Sequence, residues 1–132
     1  MALPNGAGGY QVTDGNVGEP LLFVQGAPTA LTAAATVTAA QLANGLFTFD
    51  GTAGNMTLPT VADLEAYVSA ASKVDAAFDF FVVNIDGGTD DVTVAVGTGW
   101  TLVGAGQVDN GTSGHFRARK TGDGTWTCYR IS

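Results

Sequence analysis

The side chains able to do chemistry are few in this 132-residue chain. The single histidine, His115, has no second nitrogen or thiolate ligand near it in the sequence, and the single cysteine, Cys128, stands between Thr127 and Tyr129. One thiol permits neither an intrachain disulfide nor a zinc site built on paired thiolates. His115 is therefore expected at the surface or in an interface, and Cys128 as a half-buried structural thiol. No serine sits in a G-x-S-x-G setting and no stretch has the G-x-x-x-x-G-K-[ST] spacing, so neither a nucleophile elbow nor a phosphate cradle is offered. The turn Asp86-Gly87-Gly88-Thr89-Asp90-Asp91 could bring three carboxylates onto a hard cation, but it lacks the spaced ligands and distal Glu of a helix-loop-helix calcium site. It reads as a solvated hairpin turn. Nothing singles out a carboxylate pair for glycoside hydrolysis. The expectation is a non-enzymatic protein with no catalytic residue, cofactor or metal.

The last hairpin carries the most informative side chains. With a loop of two or four residues, Phe116, Ala118, Tyr129 and Ile131 share one face, and His115, Arg117, Arg119, Trp126, Cys128 and Arg130 share the other. A three-residue loop would break that parity. The first set reads as core. The second is an aromatic-plus-arginine face, the composition enriched in protein interfaces, so Arg117, Arg119, Trp126 and Arg130 are interface candidates, joined by Leu3 and Tyr10 near the N-terminus.

Charge placement supports a protein partner. Twelve acids and five bases give −7, yet residues 115–132 carry +3 and residues 1–114 carry −10. An acidic body argues against general nucleic-acid binding, which needs a net basic surface. Only 13% of residues are charged, while Ala, Gly and Thr supply 20, 19 and 17 positions, so much of the surface is expected to meet protein rather than water. No run approaches the apolar length of a membrane-spanning helix, and the N-terminal residues do not read as a secretory signal.

These side chains must be positioned by short elements. Residues 1–20 hold five glycines and two prolines and read as an extended arm that orders against a neighbouring subunit. Residues 21–132 read as a single domain. Leu21-Leu22-Phe23-Val24 is a brief apolar run closed by Gly26 and Pro28. Thr38 to Ala43 suits a turn or two of helix, with Thr38 as N-cap, Gln41 three residues on and Asn44-Gly45 as the stop. Leu46–Asp50 and Met56–Leu58 read as strands. The clearest helix starts at an N-cap Thr60, runs about three turns with Leu64, Val68 and Ala71 on its buried stripe and Tyr67 alongside, and ends near Lys73. Phe78–Ile85 reads as a central strand returning through the acidic turn to Asp91–Val96 as a hairpin. Trp100–Val103 and the terminal hairpin follow. About nine strands punctuated by turns predict an all-β chain: an antiparallel β-sandwich or jelly roll with one short helix inserted and an extended N-terminal arm. No fixed internal period argues for a solenoid.

With the Met56-Thr57-Leu58-Pro59-Thr60 strand ending, the Phe78-Asp79-Phe80-Phe81-Val82-Val83-Asn84 strand, the Val92-Thr93-Val94-Ala95-Val96-Gly97-Thr98-Gly99-Trp100 return and the closing Thr125-Trp126-Thr127-Cys128-Tyr129, residues 21–132 resemble the head decoration, or cement, proteins of tailed bacteriophages. The resemblance implies a β-sandwich homotrimer on the outer capsid surface of the virion, bridging major capsid protein subunits without catalysis. It implies no direct contact with nucleic acid or membrane. The same motifs are shared with phage fibre and tail modules, so the alternative is a fibre or host-adhesion module that binds carbohydrate, for which an exposed Trp100 or Tyr129 would serve as the sugar platform.

Overall fold

The computed structural model describes residue 20 and residues 22–69, 71 and 73–132. The expected arm at 1–20, and with it Leu3 and Tyr10, lies outside the described residues apart from Pro20.

The described chain is mainly β, with two short helices. Strands β1 (Thr29–Leu31), β3 (Leu46–Phe49), β5 (Ala77–Asn84), β9 (Ser113–Gly122), β10 (Thr125–Arg130) and β7 (Trp100–Val103) form a six-stranded sheet in that spatial order. Strands β2 (Ala35–Thr36), β4 (Gly54–Thr57), β6 (Val92–Ala95) and β8 (Gln107–Val108) form a four-stranded sheet. One hydrophobic cluster is shared by both sheets, with Phe47, Phe80, Val82 and Phe116 from the first and Met56, Val92, Val94 and Val108 from the second.

The pairing corrects the antiparallel expectation. Among the described strands, five pairings are parallel and three antiparallel. From β1 to β6 successive strands alternate between the two sheets, so like-placed strands stack parallel. The paired positions Thr29, Phe47 and Val82 are separated by 18 and then 35 residues, the longer step carrying the second helix. The expected hairpin between β5 and β6 is not formed: β5 is flanked by β3 and β9, while β6 lies in the other sheet between β4 and β8. Alternation gives the physical reason. Val92 and Val94 of β6 are buried, and they join Phe80 and Val82 of β5 in one core cluster from the other sheet instead of pairing beside them. Asn84 holds the crossing in place. Its buried Nδ2 donates to the carbonyls of Asp90 (3.0 Å) and Val108 (3.1 Å), and its Oδ1 accepts from the Asp86 N–H (3.1 Å). A buried amide with all these partners avoids the desolvation penalty it would otherwise carry.

Both helices follow from their caps. Helix α1 (Ala39–Asn44) has a reciprocal capping box between Thr38 and Gln41 and stops at Gly45, whose φ of 78° is left-handed, the conformation glycine adopts without a Cβ penalty. The turn or two of helix expected from Thr38 is thus formed, and with α2 (Val61–Tyr67) it makes two helices among the described residues, against the one inserted helix expected for the fold as a whole. Helix α2 is capped by Thr60 and buries Val61 and Leu64. It is shorter than the expected three turns. Val68 leaves helical geometry at ψ 69° and packs against the core, which leaves Tyr67 exposed and carries Lys73 out of the helix.

Candidate functional site

Strand β9 alternates between the core and solvent, so its cations divide by residue parity. The β9–β10 hairpin turns through Gly124 at φ 74°, and the register shifts between Thr125 and Trp126. That bulge inserts one position and flips every later β10 side chain relative to a bulge-free hairpin. The expected faces are corrected accordingly. Trp126 and Cys128 join Phe116 and Ala118 in the core, and Tyr129 moves outward beside Arg117. Trp126, expected in an interface, is only 1% exposed and packs against Phe78 and Trp100.

The inward cation is Lys120, whose side chain is nearly buried. Its Nζ lies 2.9 Å from Glu65 Oε2 and donates to the Ala71 carbonyl at 3.2 Å. The Trp126 indole N–H donates to the same Glu65 oxygen at 3.2 Å. The Lys120 ammonium holds the Glu65 carboxyl below the usual carboxylate range, against the opposing effect of burial. Helix α2 therefore delivers Glu65 to the end of the sheet as the counter-ion of Lys120.

The outward cations pair on the sheet's solvent face. Arg117 grips Asp79 of β5 with two bonds, Nε to Oδ1 at 2.6 Å and Nη2 to Oδ2 at 2.9 Å. His115 Nε2 lies 2.9 Å from Asp79 Oδ2; an ionised carboxylate only accepts, so that nitrogen carries the proton. The Arg117 bonds, reinforced by His115 and opposed by partial burial, bring the Asp79 carboxyl down to about 2. The His115 ring stacks on Phe81 with centroids 4.5 Å apart. Next to this cluster, Arg119 donates to the Tyr129 hydroxyl and to Asp75 at 2.8 Å. Sequence spacing could not show these partners, because Asp75 and Asp79 come from a strand and turn some forty residues earlier.

Arg130 has a different position. Its guanidinium donates to the carbonyls of Ser132, Ala105 and Gln107 and stacks over the Phe116 ring at 5.1 Å. Of the four hairpin candidates, Arg117 and Arg119 share one outward face with His115, Phe81 and Tyr129. Trp126 and Arg130 do not belong to it.

The remaining chemical groups are held by the fold. Cys128 is fully buried, deeper than expected, and desolvation pushes its thiol up to about 12, a state that disfavours the nucleophilic thiolate. In the acidic turn, Asp86 Oδ2 accepts from the N–H groups of Gly88 and Asp90, and Asp91 accepts from Asn110 and Gln107. Among the described residues no group of three His, Cys, Asp or Glu side chains converges on a metal position. Trp100 is buried, and its indole N–H donates to the Pro59 carbonyl at 2.8 Å. No helix among the described residues is long and apolar enough to cross a membrane.

The largest apolar exposure lies elsewhere. Leu22, Phe23 and Val24 are 81, 82 and 99% exposed. The chain becomes fixed just after them, where Gln25 Nε2 donates to the Asn44 carbonyl at 2.8 Å and Asn44 Nδ2 donates to the Ala27 carbonyl at 2.9 Å. Of the brief run expected among the strands, the described residues Leu22, Phe23 and Val24 belong to no strand and pair with no strand among the described residues. No family model, curated protein or solved structure matches this chain.

Proposed function

We propose that this chain is a non-enzymatic virion structural protein, a head decoration or cement protein of a tailed bacteriophage that binds the outer capsid surface and bridges major capsid protein subunits as a homotrimer. The observation that carries the proposal is the run Leu22-Phe23-Val24, held in solvent at the edge of a closed two-sheet body. Three consecutive large apolar side chains in water are costly for an isolated domain and are expected where a protein neighbour covers them. The outward face of Phe81, His115, Arg117, Arg119 and Tyr129 adds the aromatic and arginine composition of an interface. The two sheets around one core fit the sandwich-type body that the sequence resemblance implies.

The alternative, a fibre or host-adhesion module that binds carbohydrate, called for an exposed Trp100 or Tyr129. Trp100 is buried and Tyr129 is half-buried with its hydroxyl bonded to Arg119, so that reading gains no support. The decisive test adds the purified protein to phage capsids stripped of their decoration layer. Saturable binding in a fixed ratio to the major capsid protein, with a raised shell melting temperature, is the expected result. Absence of binding to every such shell, together with selective glycan binding, would favour the adhesion module.

A further inference from the structure

An apolar groove of about 300 Å³ opens between the helices and the end of the six-stranded sheet, lined by Ala43, Val68, Ala76, Ala77, Phe78 and Trp126. We infer that this groove is the seat for Leu22-Phe23-Val24 of a second copy of the same chain, so that copies associate by exchanging these segments. The inference goes beyond capsid binding and does not depend on it.

The groove and the segment are complementary within one sequence. The groove presents small alanines beside two aromatic side chains, and the segment supplies three large, highly exposed apolar side chains. Neither carries a charge: residues 20–28 contain no Asp, Glu, Lys or Arg, and no charged residue lines the groove. The anchor directs the geometry. Gln25, Gly26 and Ala27 are strapped to Asn44, the last residue of α1, and the preceding residue of that helix, Ala43, lines the groove. The amide of Asn44 packs closely on Gly26, so a Cβ there would displace that side chain. From that point the run extends into solvent instead of closing on the groove beside it.

The area is sufficient for association. A phenylalanine alone brings on the order of 150 to 250 Å². Two reciprocally seated runs, counted on both surfaces, reach roughly 1,000 Å² or more, the scale of a specific protein interface. A closed ring of exchanges satisfies every copy without leaving an open end.

Cysteine crosslinking tests the exchange, and the native Cys128 is buried and does not compete. Leu22→Cys in one preparation and Ala77→Cys in another alter exposed positions and leave Phe23 in place. Mixed and oxidised mildly, they are expected to form a disulfide between the two variants, while the chain carrying both substitutions forms covalent multimers. Phe23→Ser with Val24→Ser is expected to weaken association about 100-fold or more with an unchanged circular dichroism spectrum. A disulfide closing within one chain of monomer mass, absence of any mixed disulfide, or association unaffected by the serine substitutions would each overturn the inference. Capsid binding by a strictly monomeric protein would remove the exchange and leave the decoration role standing.

Discussion

Arg117 and Lys120 lie on the same strand, each opposite a carboxylate, yet the two ion pairs differ in almost every physical respect. Lys120 points inward and shares Glu65 with the Trp126 indole in a nearly dry setting. Arg117 points outward, half in water, and shares Asp79 with His115. The inner group is placed to hold α2 and the loop after it against the sheet, and removing Glu65 would leave the buried Lys120 ammonium without its close counter-ion. The outer group is screened and individually weak, so its value lies in the shape and charge it offers a neighbour. One strand thus divides its cations between cohesion and contact, and a total count of arginines and lysines hides the division.

The contrast can be broken at its strong end. Lys120→Ala is expected to destabilise the fold by about 2 to 3 kcal/mol, measured by urea unfolding, because the buried stem and the bonds to Glu65 and the Ala71 carbonyl are lost, whereas Lys120→Met combined with Glu65→Gln restores much of the loss. A Lys120→Ala cost below about 1 kcal/mol would place the inner pair in the same class as the outer one. Asn84→Ala is expected to cost a similar amount, about 2 to 3 kcal/mol, since the Asp90 and Val108 carbonyls and the Asp86 N–H each lose a buried partner.

The outer pair is expected to show itself through pH. The Asp79 carboxyl lies at about 2 in the fold against an ordinary 3.8, so its contribution is fully present above about pH 4 and is lost as pH falls through 2. The loss is about 1 to 2 kcal/mol, read as an acid-limb difference between the native chain and Asp79→Asn. The smallest effect belongs to Arg117→Ala: its guanidinium is exposed and screened, so the change in stability at neutral pH is expected to be smaller than for any of the substitutions above. A larger loss of stability there would make the outer face structural and weaken its reading as an interface.

Much of the local structure was legible because its signals are local. The Thr38–Gln41 capping box, the Gly45 stop, the two-sided apolar strand β5 and the existence of the last hairpin are all written within a few residues of one another. Face assignment on β10 failed for an equally local reason: the register skips Thr121 of β9 between the Thr125–Gly122 and Trp126–Lys120 pairs, which inverted the parity and turned Trp126 inward and Tyr129 outward. The parallel stacking was illegible because its spacing changes from 18 to 35 residues where α2 is inserted, leaving no period to detect. The partners of Arg117 and Arg119 were hidden by chain distance. Asp79 reaches Arg117 only because β5 pairs with β9, a fact of topology that composition does not encode. The run 22–24 was readable as apolar, but its exposure is visible only once the core is closed without it.

The proposed exchange of exposed runs requires that copies of this chain associate with one another. Light scattering of the purified chain at tens of micromolar tests it most directly. A mass three times that of one chain, falling to one chain when Phe23 and Val24 are both replaced by serine, is the predicted result; a strict monomer across the same concentrations would contradict it.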